Sequence, residues 1–142
     1  MPRTRVETRA RARVLQALYA WDLRGEERNG ALERIASQTW DELAVPPAER
    51  RFAGSIVRTI AQHGRVIDTE LAEVTTNWRL ERLGVVERCV LRLGAAELQA
   101  GQTPPRVVIQ EAVKLAERYG SVQSAKFVNG VLDALARRMG RI

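Results

Sequence analysis

Apolar residues recur at intervals of three and four along almost the whole chain, and no stretch alternates in the manner of a half-buried strand. The first run, Val6, Ala10, Val14, Ala17, Leu18 and Trp21, predicts a helix with one buried stripe. Thr4 and Glu7 have capping-box spacing, which starts that helix at Thr4, and Gly25 stops it. A second helix is predicted over 31–43, burying Leu32, Ile35, Ala36, Trp40 and Leu43. Val45-Pro46-Pro47 closes it and opens a third, since proline is tolerated in a first helical turn. Phe52, Ile56, Val57 and Ile60 form the third helix's apolar face. His63-Gly64 reads as a stop and as the division between two subdomains, 1–63 and 64–142.

The fourth helix carries Val66, Ile67, Leu71 and Val74 and is broken by Thr75-Thr76-Asn77, with Trp78 to Leu83 a short helical turn or a loop. Residues 85–100 are apolar on most sides: Val85, Val86, Cys89, Val90, Leu91, Leu93, Ala95, Ala96 and Leu98. Such a helix belongs at the centre of a bundle. Gly94 inside it predicts the close approach of another helix, because a glycine there otherwise costs about 1 kcal/mol. After Thr103-Pro104-Pro105 comes a helix ending at Gly120, the expected C-cap, and then a last helix burying Val128, Val131, Leu132, Leu135 and Met139. In that last helix Asn129 and Gly130 read as structural, a buried amide bonding across helices and a close-approach glycine. The fold class is all-α, a compact protein of seven helices, three before the division and four after it.

Composition narrows the class. A chain of 142 residues, 45% hydrophobic and 28% charged, suits a single globular domain. No apolar run nears the roughly 20 residues of a membrane span, so no membrane partner is expected. The arginine-rich start lacks the apolar segment of a secretory signal, and its pattern runs directly into the first core helix, against a transit peptide. One cysteine, Cys89, excludes an internal disulfide and fits a reducing cytoplasm. With one His and one Cys there is no metal cluster and no Cys-His pair, and no phosphate-cradling glycine loop occurs. Asp41 and Glu42 have no partner pattern for acid–base work. The chain reads as a non-enzyme with no catalytic residue, metal or cofactor.

Charge carries the functional signal. The formal net charge is +6, and of 23 basic residues only Lys114 and Lys126 are lysines. A preference for GC-rich codons would account for that ratio but less well for the clustering of Arg3, Arg5, Arg9, Arg11 and Arg13 around the single acid Glu7. Arg5, Arg9 and Arg13 fall at i, i+4 and i+8, a basic ridge beside the apolar stripe, and Gln16 extends it. Arginine's planar fork suits phosphates and stacks on bases. A solvated charged face is the alternative. Phe127 lies about 100° from core Val128, at the margin of the last helix's stripe. Beside Lys126 it would form a stacking platform with an adjacent cation, or else it is ordinary core. No carboxylate occurs from Tyr119 to Lys126 to repel phosphate. Tyr19 adjoins core Leu18, and Glu87 stands in a helix's first turn, where it favours the macrodipole.

Four segments carry a resemblance: Val14-Leu15-Gln16-Ala17-Leu18-Tyr19-Ala20-Trp21, Glu87-Arg88-Cys89-Val90-Leu91-Arg92-Leu93, Ala112-Val113, and Lys126-Phe127-Val128-Asn129-Gly130-Val131-Leu132-Asp133. In order, they resemble the NusB family of bacterial transcription antitermination factors. The likeness spans essentially the whole chain, and the last segment is its specific part. Ala96 departs from the aromatic that often precedes the Glu-Leu pair, and Gln110 from an Asn common before Glu111; both read as packing adjustments. The resemblance implies an all-helical pair of subdomains, three helices then four, and no catalysis. It implies binding of single-stranded boxA RNA together with the ribosomal protein NusE, within the antitermination complex on RNA polymerase, so that ribosomal RNA operons are transcribed through termination signals. The implied RNA-binding residues are Arg3, Arg5, Arg9, Arg11, Arg13, Gln16, Lys126 and Phe127. Tyr19 and Glu87 are carried over to the partner surface, and Arg92 either assists there or pairs with a neighbouring carboxylate.

Other readings stay open. A NusB-like domain also precedes the catalytic domain of some ribosomal RNA cytosine methyltransferases; the chain's end at Ile142, without a cofactor-binding sheet, favours a stand-alone factor. A helical DNA-binding regulator would need an exposed recognition helix, and the nearest candidate, Val107 to Tyr119, carries the acids Glu111 and Glu117. A structural adaptor with incidental charge is a third reading. A homodimer in the free state would hide the same surface until RNA or NusE arrived.

Overall fold

The structure is a computed structural model, which describes residues 5–25, 31–75 and 83–142. Six helices account for most of them: α1 Arg5–Asp22, α2 Leu32–Glu42, α3 Pro47–Val74, α4 Val85–Ala100, α5 Pro105–Tyr119 and α6 Val122–Arg138. There is no strand among the described residues. The expected Thr4 cap, the Thr76-Asn77 break and most of the Trp78 to Leu83 segment lie outside them. Six helices stand where seven were expected, because the third and fourth adjoin across a kink within α3. The bend is His63, whose φ of −122° and ψ of 18° leave helical values for a single residue. The interruption falls at the predicted His63-Gly64 stop, with Ile60 before it and Ile67 after it both buried.

Two compact units divide the chain, Met1–Gln62 and His63–Ile142. In the first, α1 packs on α2, with Ala10, Val14, Ala17 and Leu18 of α1 and Leu32, Ile35, Ala36 and Trp40 of α2 all buried. Trp40 keeps its polar tip satisfied, since Nε1 donates to the Arg13 carbonyl at 3.0 Å. Leu43, expected in the core, is exposed. Helix α2 has already ended there; Ala44 adopts a left-handed φ of 51°, and Val45 takes the buried place instead, its N–H donating to the Trp40 carbonyl at 3.0 Å. Val6 is also exposed, one turn ahead of the first covered residue, Ala10.

In the second unit α4 packs on both α5 and α6, which pack on each other. Every residue from Cys89 to Leu98 is buried, including Arg92 and Glu97, so α4 is central as its composition predicts. Gly94 makes the close approach: a Cβ there would lie 2.6 Å from Leu132 Cδ1. Gly130 does not. A Cβ at Gly130 meets nothing within 4 Å, and Asn129 is exposed. Gly130 lies about 200° around α6 from Val128, opposite the core stripe, so the structural reading of this pair is corrected. Val66 is exposed as well, because Ile67 and Leu71 form the buried line. No described helix is long and apolar enough to cross a membrane.

Candidate nucleic-acid interface

Helix α1 organises the candidate residues of the first unit. Arg5 and Arg9 are exposed, and with Gln16 they fall within about 40° of one another around the helix. Arg13 is half-buried at the margin of that face: its Nε donates to Glu49 Oε1 at 3.2 Å and its Nη1 to Gln16 Oε1 at 3.3 Å. The Glu49 carboxylate is buried, so Arg13 is anchored from below and holds the Gln16 amide in turn. Arg13 thus braces the ridge more than it crowns it.

Arg11 leaves the ridge altogether. It is 1% exposed, and its guanidinium carbon lies 5.0 Å from the centroid of the Phe52 ring. The long arginine stem lets a cation pack over an aromatic in the interior, which corrects its place in the expected RNA-binding set. Arg3 lies outside the described residues. Further along the outward line of α1, Tyr19 is 43% exposed and Leu23 beyond it is exposed too. An exposed apolar pair one turn apart continues the face that Arg5 and Arg9 begin. Leu23 follows the last helical turn, where periodicity no longer marks it.

In the second unit Lys126 is exposed and Phe127 half-buried, side by side on α6. Phe127 is therefore neither fully buried core nor a free ring. The outward face of α6 continues through Gly130 to Asp133, which accepts from Arg137 Nε at 2.8 Å and thereby raises that guanidinium above its ordinary range. Glu87 is half-buried and accepts from Ser124 Oγ at 2.5 Å. Arg92, 4% exposed, gives Nε to Asp68 Oδ1 at 3.0 Å and Nη2 to Asp68 Oδ2 at 3.2 Å. That two-pronged pair is the carboxylate alternative for Arg92 and holds its side chain in the interior. Tyr119 is a further exposed aromatic, with the Arg118 guanidinium 5.3 Å from its ring centroid. Its place in the last turn of α5 disguises it as an ordinary helix end. Among the described residues no group of His, Cys, Asp and Glu could hold a metal ion.

A sequence profile described as the NusB family matches residues 8–137. The chain belongs to the NusB family. The transcription antitermination protein NusB of Anaeromyxobacter dehalogenans (strain 2CP-1 / ATCC BAA-258) is 46% identical over 132 residues, covering 91% of this chain and 89% of the relative. The solved structure of T. maritima NusB superposes with a TM-score of 0.81 at 36% identity, covering 96% of this chain and 93% of that one. A NusB in a crystal structure of the antitermination factors NusB and NusE in complex with dsRNA gives 0.84 at 32% identity, covering 96% and 99%. NusB proteins are antitermination factors and not enzymes, in keeping with a chain whose candidate residues are cations, amides and aromatics rather than an acid–base set.

Proposed function

We propose that this chain is a cytoplasmic transcription antitermination factor that binds single-stranded boxA-type RNA with the ribosomal protein NusE. In that role it joins the antitermination complex on RNA polymerase and favours transcription of ribosomal RNA operons. The observation that carries the reading is the outward line of α1. Exposed Arg5 and Arg9 share a face with Gln16, and Arg13, tied to Glu49 at 3.2 Å, holds the Gln16 amide in place. Two exposed guanidiniums on a rigid helix neutralise phosphates and release counterions; a braced amide offers a donor and an acceptor to a base edge. On the other unit, exposed Lys126 and the half-buried Phe127 ring supply a cation and a stacking surface, the pairing that single-stranded nucleic acid uses.

Exposed Tyr19 and Leu23 are the proposed protein-partner surface of α1, where an apolar pair offers burial to a docking subunit. A related NusB solved with NusE and dsRNA supports both partner classes. The DNA-regulator reading is weaker, since exposed Glu117 stands among the cations of α5. The test compares boxA RNA with a scrambled RNA of equal length by fluorescence anisotropy at near-physiological salt. Preferential binding of boxA is expected; equal affinity for both would reduce the face to a non-specific polyanion surface.

A further inference from the structure

A hydrogen-bonded relay within the second unit ties the start of α6 to the start of α4. Ser121 caps α6, its Oγ accepting from the Ser124 N–H at 3.1 Å. Ser124 is 5% exposed, and its hydroxyl donates to Glu87 Oε1 at 2.5 Å. A serine has one hydroxyl proton, so in the 3.1 Å contact between the two serine oxygens Ser121 is the donor. The relay therefore runs Ser121 to Ser124 to the Glu87 carboxylate, each bond polarising the next.

Charge and space agree with it. The first turn of α6 contains no acidic residue, so Glu87 supplies across helices the anion that favours a helix N-terminus. Two glycines clear the path. A Cβ at Gly84 would collide with Glu87 Oε2, and one at Gly120 would lie 2.8 Å from Ser124 Oγ. Ser124 and Phe127 are i, i+3 neighbours on α6, with Lys126 between them, so whatever fixes Ser124 fixes the turn that carries both.

We propose that Ser124 and Glu87 are positioning residues that set how α6 presents Lys126 and Phe127 to RNA. The proposal rests on the reading of Phe127 as a stacking platform, and it gives Glu87 a task inside its own chain, distinct from any contact with a protein partner. Ser124→Ala and Glu87→Ala weaken boxA RNA binding in the absence of NusE by roughly threefold to tenfold, the range for losing part of a charge-assisted hydrogen bond. Glu87→Gln, whose amide oxygen still accepts from Ser124 but lacks the negative charge, loses less than Glu87→Ala. In a Phe127→Ala background Ser124→Ala costs less than it does alone, because part of its effect runs through the Phe127 ring.

Two readouts make the test decisive. Amide hydrogen exchange across residues 122–128 quickens in Ser124→Ala and Glu87→Ala, and less in Glu87→Gln. Unchanged exchange in the alanine variants overturns the proposal whatever Phe127→Ala does. An RNA-binding loss from Ser124→Ala that persists in full without the Phe127 ring overturns it too. If Phe127→Ala alone binds RNA normally, the platform reading fails, and the exchange data still decide whether the relay orders the turn.

Discussion

Alanine at Gly94 and alanine at Gly130 should affect stability differently, although both replace a mid-helix glycine. Each gains the helical preference of alanine over glycine, about 1 kcal/mol. At Gly130 nothing opposes that gain, because the added methyl meets no atom within 4 Å. At Gly94 the methyl would sit 2.6 Å from Leu132 Cδ1 and 3.0 Å from Cδ2. Leu132 is fully buried, so its methyls have no open direction in which to retreat. Overpacking of this kind costs about 1–3 kcal/mol, leaving Gly94→Ala neutral to about 2 kcal/mol destabilised. The two variants then differ by about 1–3 kcal/mol, and for a chain of this length each kcal/mol moves the melting temperature by about 3 °C. Urea unfolding followed by circular dichroism measures both, with unchanged m-values confirming that the folded states compare. Equal stabilisation in the two variants would refute the packing of Leu132 against Gly94, and a destabilised Gly130→Ala would refute the open outer face of α6.

Three further outcomes follow from the same geometry. The double change Arg5→Gln with Arg9→Gln should weaken binding to all RNAs and reduce the salt slope by about 1.4, at about 0.7 for each phosphate no longer neutralised; an unchanged slope in anisotropy titrations would remove α1 from the phosphate-binding face. Arg92→Met, which strips Asp68 of its two-pronged partner, should cost about 1–3 kcal/mol in urea unfolding, toward the low end because Asp68 is partly open to water. Wild-type stability with a specific loss of NusE binding would instead return Arg92 to the partner surface. Phe127→Ala should lower RNA affinity by about 1–3 kcal/mol, the worth of one stacked base, while the half-buried ring makes the accompanying stability loss the smaller effect; a variant that loses stability but keeps its RNA affinity would make Phe127 core.

Periodicity makes the helices legible because it reports angle around an axis. The buried runs of α1, α2 and α4 and the approach at Gly94 all follow from that angle alone. Angle does not say which neighbour arrives, and the misreadings share that cause. Arg11 looks in sequence like one more member of a basic cluster; only the fold brings the Phe52 ring beneath its guanidinium. Gly130 looks like Gly94, yet it faces away from every helix that packs on α6. Leu43 keeps the helical rhythm after the helix has ended, and a left-handed Ala44 gives its buried place to Val45. Within the candidate interface, the exposed arginines and the Lys126-Phe127 pair are readable from spacing. The bracing of Gln16 by Arg13 and Glu49, and the Glu87–Ser124 bond, join residues far apart in sequence, and no local pattern announces them.

Joint recognition of a specific RNA and a specific protein is the central claim. Fluorescence anisotropy of labelled boxA RNA, titrated with this chain in the presence and absence of purified NusE, tests it most directly when a scrambled RNA is run alongside. Binding should prefer boxA and tighten when NusE is present, with the scrambled RNA gaining little. Equal, weak binding of both RNAs, indifferent to NusE, would contradict the claim.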